Sequence, residues 1–388
     1  MSGSPVPHDR IRVALVISNL CFGGAERQVL ELANNIDPES FDLHLFILSD
    51  YAPLAERLID RESRLHVVAK RNKFDITVIN RLAAAFKALN IQVVHGFLYD
   101  AEIASRLAAR MAGCPAIIGS ERNTSNNDGR LKRFIYRLTS RLLDACVANS
   151  RAGAAFNRSV TGMSESQYHV IYNGVDTQRF QPRQQRELRQ ELSLDQDQII
   201  IGMFGSFKHQ KNHPLLLEAA ALLCAERSDL RFVFIGSTLH EGYKTTDSYR
   251  AEIIRLVNDL KLEQYCHFLG AKEDVERYYN LCDITVLPSH FEGTPNVALE
   301  AMASGVPVIA TDVSDNRYVI PDTVAGYIVP LGEAETLAQR IALLADQEQT
   351  RERFGRQARE WVVEEFSLKK MSQSFGGVYR KILSAKTQ

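Results

Sequence analysis

The chain has 388 residues, with 46 lysines and arginines against 47 aspartates and glutamates. This length exceeds what one hydrophobic core usually supports and predicts two domains of roughly 170 to 200 residues. The near-balance of charge excludes a protein-wide nucleic-acid-binding surface, and no apolar run reaches the roughly 18 to 20 residues that a membrane span needs.

The six cysteines are scattered, without a Cys-x-x-Cys spacing or paired histidines. We therefore expect neither a disulfide framework nor a metal site, and a reducing, cytoplasmic compartment. The apolar part of the N-terminal segment is as short as a strand and has no adjacent processing site. No cleavable secretion signal is predicted from it.

In the first half of the chain, short apolar runs alternate with segments whose apolar residues recur at helical spacing. Helices are predicted at 24–36, 76–89 and 101–111, and strands at 12–18, 43–48, 65–69, 93–95, 116–119, 145–149 and 169–172. The alternation breaks at 172–176, and a polar segment at 178–190 follows. This break marks the predicted end of the first domain.

The second half repeats the alternation, with strands predicted at 199–204, 232–235, 267–269, 284–287, 306–310 and 327–329. Both halves therefore predict the α/β class, with two Rossmann-like, doubly wound parallel-sheet domains. We place the domains at 1–176 and 177–367, followed by a C-terminal helical segment at 368–388. Such sheets bind ligands beyond the carboxyl ends of their strands, and we expect the ligand in a cleft that the two domains face.

Several polar or glycine residues follow strands of the first domain. Gly23 and Gly24 would let the backbone approach a phosphate or an acceptor closely, although SNLCFGGAERQ lacks the G-x-G-x-x-G dinucleotide fingerprint and a simple tight turn is the alternative. His95 is interpreted either as an active-site residue or as a hydrogen-bonded core histidine. The polar run 120–123 ends another strand and is a candidate for acceptor contact.

The segment 129–143 has the pattern of a basic amphipathic helix. Its apolar residues share one face, and the rest of the helix is densely positive: the apolar residues are Leu131, Phe134, Ile135, Leu138 and Leu142, and the basic residues are Arg130, Lys132, Arg133, Arg137 and Arg141. Such a helix can lie on an anionic membrane surface. The alternative is that the apolar face packs inward and the basic side chains are merely solvated.

The segment 291–311, FEGTPNVALEAMASGVPVIAT, places Glu292 and Glu300 eight positions apart after the predicted buried strand 284–287. Thr294 is predicted as the N-cap and Pro295 as the first residue of a helix, since proline there forfeits only an amide without a helical partner. Gly305 is predicted to end this helix.

The amides at the start of that helix, those of Asn296 and Val297 among them, would attract a phosphate through the positive end of the helix dipole. Glu292 would then lie beside an anion site, and Glu300 would project from the helix about a turn and a half further on. This arrangement predicts a site for a ligand with both phosphate and hydroxyl groups.

The joint pattern of carboxylate, Gly-Thr-Pro turn, helix, second carboxylate, glycine stop and strand resembles the E-x7-E signature of retaining glycosyltransferases with the GT-B fold, family 4 (glycosyl transferases group 1). The Gly-Gly-Ala-Glu loop at 23–26, Asn-Gly-Val-Asp at 173–176 and the loop 205–212 support the resemblance, which covers nearly the whole chain. It implies the GT-B fold and a C-terminal helix that crosses back to the first domain.

The resemblance also implies roles for single residues. Lys211 matches the lysine that binds the leaving diphosphate in the family. Many members carry an arginine upstream of it, where this chain has Ser206, and Lys208 is a candidate replacement. A lysine there would supply a point charge rather than a bidentate fork.

Glu292 would bind the sugar hydroxyls and favour the cationic ring of the transition state, and Glu300 would accept hydrogen bonds from the ribose. Gly293 and the amides from Thr294 to Val297 would bracket the sugar and phosphate. Many relatives have a His-x-His sequence at the place of His95, and this chain has Phe97 where they have the second histidine.

The implied activity is a retaining, metal-independent hexosyl transfer from a nucleoside-diphosphate sugar, most commonly a UDP-sugar, to a glycan or lipid-linked saccharide. This places the enzyme in polysaccharide or glycolipid biosynthesis, without a cofactor because the nucleotide sugar is a co-substrate. The expected partners are the donor, the acceptor and, through 129–143, the inner face of an anionic membrane, but no nucleic acid.

Three other functions are compatible with parts of this pattern. A retaining glycosidase is disfavoured, because it needs two carboxyl groups about 5–5.5 Å apart. The alternatives left open are a nucleotide-sugar isomerase or phosphorylase on the same scaffold, and a non-catalytic sugar-binding protein.

Overall fold

A computed structural model of the chain describes residues 10–21, 23–72, 74–122, 129–236 and 244–387. The chain divides into two compact units. The first unit comprises residues 1–174 and 368–388, and the second comprises 175–367. The units divide after residues 174 and 367, and the domain boundaries expected from the sequence lie after residues 176 and 367.

The first unit is built on a seven-stranded parallel sheet with the strand order β3-β2-β1-β4-β5-β6-β7. Its strands are β1 (Ile11–Ile17), β2 (Phe41–Ile47), β3 (Leu65–Val67), β4 (Val93–Phe97), β5 (Ala116–Glu121), β6 (Ala145–Ala148) and β7 (Tyr168–Val170). The order reverses between β1 and β4. At such a reversal the connections leave on opposite faces and open a crevice beyond the strand ends.

Helices cover both faces of this sheet. They are α1 (Gly24–Asn35), α2 (Arg61–Arg64), α3 (Thr77–Ala88), α4 (Tyr99–Ala112), α5 (Arg130–Ser140), α6 (Arg151–Thr161) and, from the end of the chain, α15 (Leu368–Thr387). Alternate residues of β1 belong to two different core clusters, with Val13 and Leu15 in one and Ala14 and Val16 in the other. Because both faces are buried, the strand reads as a continuous apolar run rather than an alternating one.

Helix α15 completes the first of these cores, because Met371, Phe375 and Tyr379 are buried in the cluster that contains Leu15. The ring of Tyr379 also makes an edge contact with Phe41, with 6.1 Å between ring centroids. The C-terminal helix is therefore an integral part of the first unit.

The second unit has a six-stranded parallel sheet in the order β10-β9-β8-β11-β12-β13. Its strands are β8 (Ile199–Phe204), β9 (Leu230–Ile235), β10 (Cys266–Gly270), β11 (Ile284–Leu287), β12 (Val308–Thr311) and β13 (Gly326–Val329). Its helices are α7 (Arg186–Glu191), α8 (His213–Cys224), α9 (Lys244–Asp259), α10 (Val275–Leu281), α11 (Asn296–Ala303), α12 (Asn316–Val319), α13 (Ala334–Asp346) and α14 (Glu348–Glu365). The order reverses between β8 and β11, which defines the crevice of this unit. The predicted α/β class with two doubly wound parallel sheets is confirmed.

A buried polar network ties α4 to α5 in the first unit. Glu102 and Arg106 form an ion pair at 2.9 Å, and neither side chain is more than 4% exposed. The hydroxyl of Tyr136 donates to Oε2 of Glu102 at 3.0 Å, and Nη1 of Arg106 donates to Oγ1 of Thr139 at 3.2 Å. Such a network resists rearrangement because each buried charge depends on its partners.

This network sets the orientation of α5. Tyr136 and Thr139 lie on its buried side, whereas Leu131, Phe134 and Leu138 are exposed to solvent. The alternative in which the apolar face of the 129–143 segment packs inward is therefore wrong for these three residues. The polar side of the helix holds it to the unit, and much of its apolar face remains outward.

Candidate active site

The crevice of the second unit is lined by two loops that follow neighbouring strands. β8 pairs with β11 in parallel, so both strands end at the same edge of the sheet. The loop 205–212 follows β8 and leads into α8, and the loop 288–295 follows β11 and leads into α11. Each loop carries one of the predicted catalytic residues.

An ion pair joins the two loops. Nζ of Lys211 lies 2.7 Å from Oε1 of Glu292, and the side chains are only 16% and 8% exposed. In such a poorly solvated place each charge depends on the other for compensation. The structure therefore brings together the predicted phosphate-binding cation and the predicted sugar-binding carboxylate.

Hydrogen bonds hold the same loops independently of this ion pair. The amide of His290 donates to the carbonyl of Gln210 at 2.9 Å, and the side-chain amide of Gln210 donates to the carbonyl of Phe291 at 2.9 Å. The amide of Glu292 donates to Oγ of Ser314 at 3.2 Å. The backbone beneath the ion pair is thus fixed by three further bonds.

Two glycines allow close packing at the start of the loop that carries Lys211. Gly205 has φ +137°, and a Cβ added there would lie 3.2 Å from Cε of Lys211. A Cβ on Gly236, which has φ +155°, would lie only 1.9 Å from the carbonyl oxygen of Gly205. The stem of Lys211 therefore occupies space that any other residue at 205 would contest.

Helix α11 begins one residue later than predicted. Pro295 has extended backbone (φ −76°, ψ 102°) and stands before the helix, and Asn296 is the first helical residue. Proline has no amide to lose at either position, so sequence alone does not separate them. The expectation that Thr294 is the N-cap and Pro295 the first helical residue is corrected accordingly.

The predicted end of α11 agrees with the structure. Gly305 has φ +76°. Its amide donates to the carbonyl of Met302 at 2.9 Å, and the amide of Val306 donates to the carbonyl of Ala301 at 3.0 Å. This is the Schellman pattern, which favours glycine at that place. At the other end of the helix, Thr294 and Pro295 are buried, and the remaining residues predicted to bracket the ligand are half-buried: Gly293, Asn296 and Val297.

Glu300 lies on α11 and is 5% exposed. Its Oε2 accepts a hydrogen bond of 2.8 Å from the hydroxyl of Tyr279, whose ring is stacked on Phe204 with 3.8 Å between centroids. Phe204 ends β8. Tyr279 thus holds the carboxylate predicted to bind ribose next to β8, the strand that precedes the lysine loop. The sequence did not predict this role of Tyr279, because nothing in the sequence of α10 points to Glu300.

Ser206 and Lys208 are both half-buried in the loop after β8. The carbonyl of Lys208 accepts a bond of 2.9 Å from the amide of Lys211. Its backbone therefore shapes the turn that presents Lys211. A phosphate contact by the side chains of Ser206 and Lys208 stays a prediction.

In the first unit, Gly23 precedes α1 with an extended backbone (φ −101°) that any residue can adopt. A Cβ on it would lie 2.0 Å from Oε2 of Glu26, so the Glu26 side chain folds back over this glycine. Gly24 is the first residue of α1. The two glycines lie at the crevice of the first unit, and their contact with a ligand stays a prediction.

His95 is fully buried in β4, and both ring nitrogens have partners. Nδ1 lies 2.9 Å from the hydroxyl of Tyr379, and Nε2 lies 2.7 Å from Oγ of Ser120. Burial, reinforced by the charge of Arg122, lowers the pKa of His95 to about 3. These contacts favour the structural alternative, a neutral core histidine, and a catalytic role stays a prediction.

The polar run 120–123 begins within β5. Its described part ends at Arg122, and Asn123 lies outside the described residues. Nη2 of Arg122 donates to Oδ1 of Asn173 at 3.0 Å, and burial lowers the pKa of Arg122 to about 10. A largely buried guanidinium thus stands beside the Asn-Gly-Val-Asp segment. Its acceptor contact stays a prediction.

Within the described ranges, no group of three or more histidine, cysteine, aspartate or glutamate side chains is arranged to hold a metal ion. In the same part of the chain, no helix combines the length and the apolar character required to span a bilayer.

Two family models match the chain, one in each half. Glycosyltransferase Family 4 matches residues 22–179, and Glycosyl transferases group 1 matches residues 184–361. UDP-Gal:alpha-D-GlcNAc-diphosphoundecaprenol alpha-1,3-galactosyltransferase of Escherichia coli is 25% identical over 363 residues, covering 87% of this chain and 89% of that protein. N-acetyl-alpha-D-glucosaminyl L-malate synthase of Bacillus anthracis is 25% identical over 317 residues, covering 80% of each.

Among solved structures, Anabaena Alr3699/HepE in complex with UDP superposes with a TM-score of 0.85 at 18% identity, covering 96% of this chain and all of that one. Sucrose-phosphate synthase from Thermosynechococcus elongatus gives a TM-score of 0.77 at 19% identity, covering 97% and 100%. These likenesses show the fold, and the family models match the two halves in turn. The chain therefore belongs to the GT-B glycosyltransferases of group 1 and family 4.

Proposed function

We propose that this glycosyltransferase moves a sugar from a UDP-sugar to a lipid-linked or polysaccharide acceptor, with retention of the anomeric configuration and without a metal ion. The observation that carries the proposal is the Lys211–Glu292 ion pair at the β8/β11 crevice. It places a cation and a carboxylate beside the start of α11, where a diphosphate and a sugar would meet.

Binding of a donor would redistribute these charges. Without a ligand, the ammonium of Lys211 compensates the carboxylate of Glu292. A diphosphate brings further negative charge. It would compete with Glu292 for Lys211, and the amides at the start of α11 would attract it as well. Glu292 would then be available to accept hydrogen bonds from the sugar hydroxyls and to stabilise positive charge on the ring.

The course of the transfer step is the one that the family resemblance implies. The bond from the anomeric carbon to the diphosphate oxygen breaks while the acceptor oxygen bonds to that carbon from the same face. The proton of the acceptor hydroxyl passes to the departing diphosphate. Lys211 and the α11 amides stabilise the growing charge on the leaving group, and each such donor can lower the barrier by about 3–4 kcal/mol. These groups supply positive charge that a metal ion supplies in other transferases.

Support for the donor and the acceptor comes from relatives. The E. coli relative is named for a UDP-galactose donor and a diphosphoundecaprenol-linked acceptor, and Alr3699/HepE was solved with UDP. A lipid-linked acceptor would require the enzyme to reach a membrane, and the exposed apolar face of α5 among basic residues suits such a contact. The Escherichia coli and Bacillus anthracis relatives are named as a transferase and a synthase, so they lend no support to an isomerase or a phosphorylase.

A donor screen tests the proposal first. Thermal unfolding is followed with UDP, GDP and ADP, because a ligand that binds the folded state raises its stability. We expect UDP to give the largest shift. Preferential stabilisation by another nucleotide would overturn the donor assignment.

Transfer is then measured as UDP release with and without a panel of lipid-linked and polysaccharide acceptors, in the presence of a chelator. The anomeric configuration of the product is read by NMR. Acceptor-dependent release that survives the chelator and gives a retained linkage is expected. Turnover that requires inorganic phosphate, or needs no acceptor, would favour a phosphorylase or an isomerase instead.

A further inference from the structure

The most exposed large apolar side chains in the described parts of the chain are concentrated on two segments of the first unit. Phe74 is 82% exposed, Ile76 77%, Leu131 71% and Phe134 64%. The first two belong to the turn before α3, here called the 74–76 loop, and the others belong to α5. Large apolar side chains left in water in this way mark an interaction surface when they are grouped.

The 74–76 loop is held rigidly by the residue between its two apolar side chains. Asp75 is buried and accepts hydrogen bonds from the amides of Arg71 and Thr77, both at 2.9 Å. It also forms an ion pair with Arg81 at 2.7 Å. Because Asp75 points inward, the neighbouring side chains of Phe74 and Ile76 are presented outward by a fixed turn.

The first turn of α4 connects this loop to α5. Nζ of Lys70, just before the loop, lies 3.4 Å from Oδ2 of Asp100. The hydroxyl of Tyr99 donates to the carbonyl of Lys132 at 3.1 Å, and its ring stacks on Tyr136 in α5. The first turn of α4 is therefore in contact with the segment before the loop through Asp100 and with α5 through Tyr99.

Basic residues accompany both segments. The 129–143 segment contains five basic residues and no acidic one. Arg71 adds an exposed positive charge before the loop, and the carboxylate of Asp100 between the segments is paired with Lys70. Apolar side chains accompanied by basic ones match the interface of an anionic bilayer, where the apolar side chains reach the acyl boundary and the basic side chains meet the headgroups.

We propose that the 74–76 loop and the exposed face of α5 insert together into the interface of an anionic lipid bilayer. This inference deepens the proposed function, since it rests on the lipid-linked acceptor. A single amphipathic helix leaves a protein free to roll about the helix axis. A second insertion point, to one side of that axis, fixes the orientation of the first unit on the membrane.

Tryptophan substitution gives a direct readout of insertion. The chain contains one tryptophan, Trp361, in the second unit, so a second one is read as a difference from the unsubstituted protein. In the Phe74→Trp variant, the fluorescence emission of the introduced tryptophan is expected to shift to shorter wavelength on vesicles of phosphatidylcholine mixed with phosphatidylglycerol. Lipids brominated in the acyl chain should quench this fluorescence. Met111→Trp is the matched control, because Met111 is 54% exposed but lies at the opposite end of α4.

Vesicle sedimentation then measures the contribution of each segment. Phe74→Ser with Ile76→Ser, and separately Leu131→Ser with Phe134→Ser, are each expected to weaken partitioning to the anionic vesicles roughly tenfold or more. Met111→Ser should leave it unchanged. Pure phosphatidylcholine vesicles should bind the unsubstituted protein much more weakly, because they lack the anionic headgroups.

The outcomes separate this inference from the proposed function. If only the α5 variant loses binding and Phe74→Trp does not respond, the two-point contact is overturned, while docking through α5 stands. If the unsubstituted protein binds neither kind of vesicle, both membrane contacts fail, and the UDP thermal shift still decides the donor assignment. If Phe74→Ser instead abolishes self-association in sedimentation velocity, the surface is a protein interface and the inference is overturned. An unchanged UDP shift in each variant verifies that it is folded.

Discussion

The ammonium of Lys211 and the carboxylate of Glu292, 81 positions apart in the chain, are in contact at 2.7 Å where the strand order of the second sheet reverses. Each belongs to a loop that follows a different strand. The pair is a compact charge-neutral unit in the ligand-free protein. A donor that binds both groups would either share this contact or replace it.

Replacing Lys211 by alanine should impair both donor binding and turnover. The cation that meets the diphosphate disappears, and we expect kcat to fall on the order of a hundredfold. Lys208→Ala, on the same loop, is the matched control and should cost less. Steady-state kinetics with a UDP-sugar would check this, and equal losses in the two variants would show that Lys211 is not the principal phosphate ligand.

The same ion pair predicts a stability relationship. Lys211→Ala leaves the carboxylate of Glu292 buried without its cation, which should lower the free energy of unfolding by about 3 kcal/mol. Adding Glu292→Gln removes the uncompensated charge, and the double variant should be more stable than Lys211→Ala alone. Urea unfolding of the three proteins tests this, and a double variant less stable than Lys211→Ala would contradict the electrostatic account.

Glu292→Gln and Glu300→Gln should affect different kinetic constants. The contact of Glu292 with the sugar would strengthen as ring charge develops, so its loss should chiefly lower kcat. Glu300 would bind the ribose equally in the ground and transition states, so its loss should chiefly raise the KM for the donor. Donor affinity that is unchanged in Glu300→Gln would refute the ribose role.

Tyr279→Phe isolates the hydrogen bond that positions Glu300. The variant removes the hydroxyl that donates to Oε2 of Glu300 at 2.8 Å and keeps the ring that stacks on Phe204. A hydrogen bond to a charged group contributes about 1.5–3 kcal/mol. We expect the donor KM to rise about tenfold with little change in kcat, and an unaltered KM would show that Glu300 is held without Tyr279.

His95 should contribute to acid sensitivity. Its pKa is lowered to about 3 in the folded state, against about 6.5 in an unfolded chain. Between these values the unfolded state binds one more proton, so stability falls as pH falls, by at most about 1.4 kcal/mol per pH unit from this residue. His95→Gln should remove that part of the slope, measured by urea unfolding between about pH 7 and about pH 5. Identical slopes would mean that His95 is not neutral and buried in solution.

Much of the fold is predictable because buried parallel strands read as apolar runs. The strand predicted at 284–287 has the same bounds in the structure, as does the one at 199–204. The start of α11 was misplaced by one residue, since Thr294 and Pro295 are each common just before or at a helix start. Strand ends between polar loops are likewise uncertain, and β7 ends two residues before its predicted end at 172.

The contacts of the site are less accessible to sequence reasoning. The signature predicted Glu292 and Glu300, but the bond from Tyr279 depends on how α10 packs against α11. The orientation of α5 shows the same limit: its apolar periodicity resembles that of a helix packed inward. Instead, the buried carboxylate of Glu102 accepts a hydrogen bond from Tyr136 and so orients α5. No local sequence pattern predicts that a carboxylate has this role.

Helix α15 supplies Met371, Phe375 and Tyr379 to the core of the first unit, although residues 175–367 separate it from the rest of that core in the chain. A ribosome therefore makes the whole second unit before it makes the helix that closes the first. Domains usually fold in their order of synthesis. Here the unit begun first is finished last, and until α15 emerges the core cluster around Leu15 lacks the side chains of Met371, Phe375 and Tyr379.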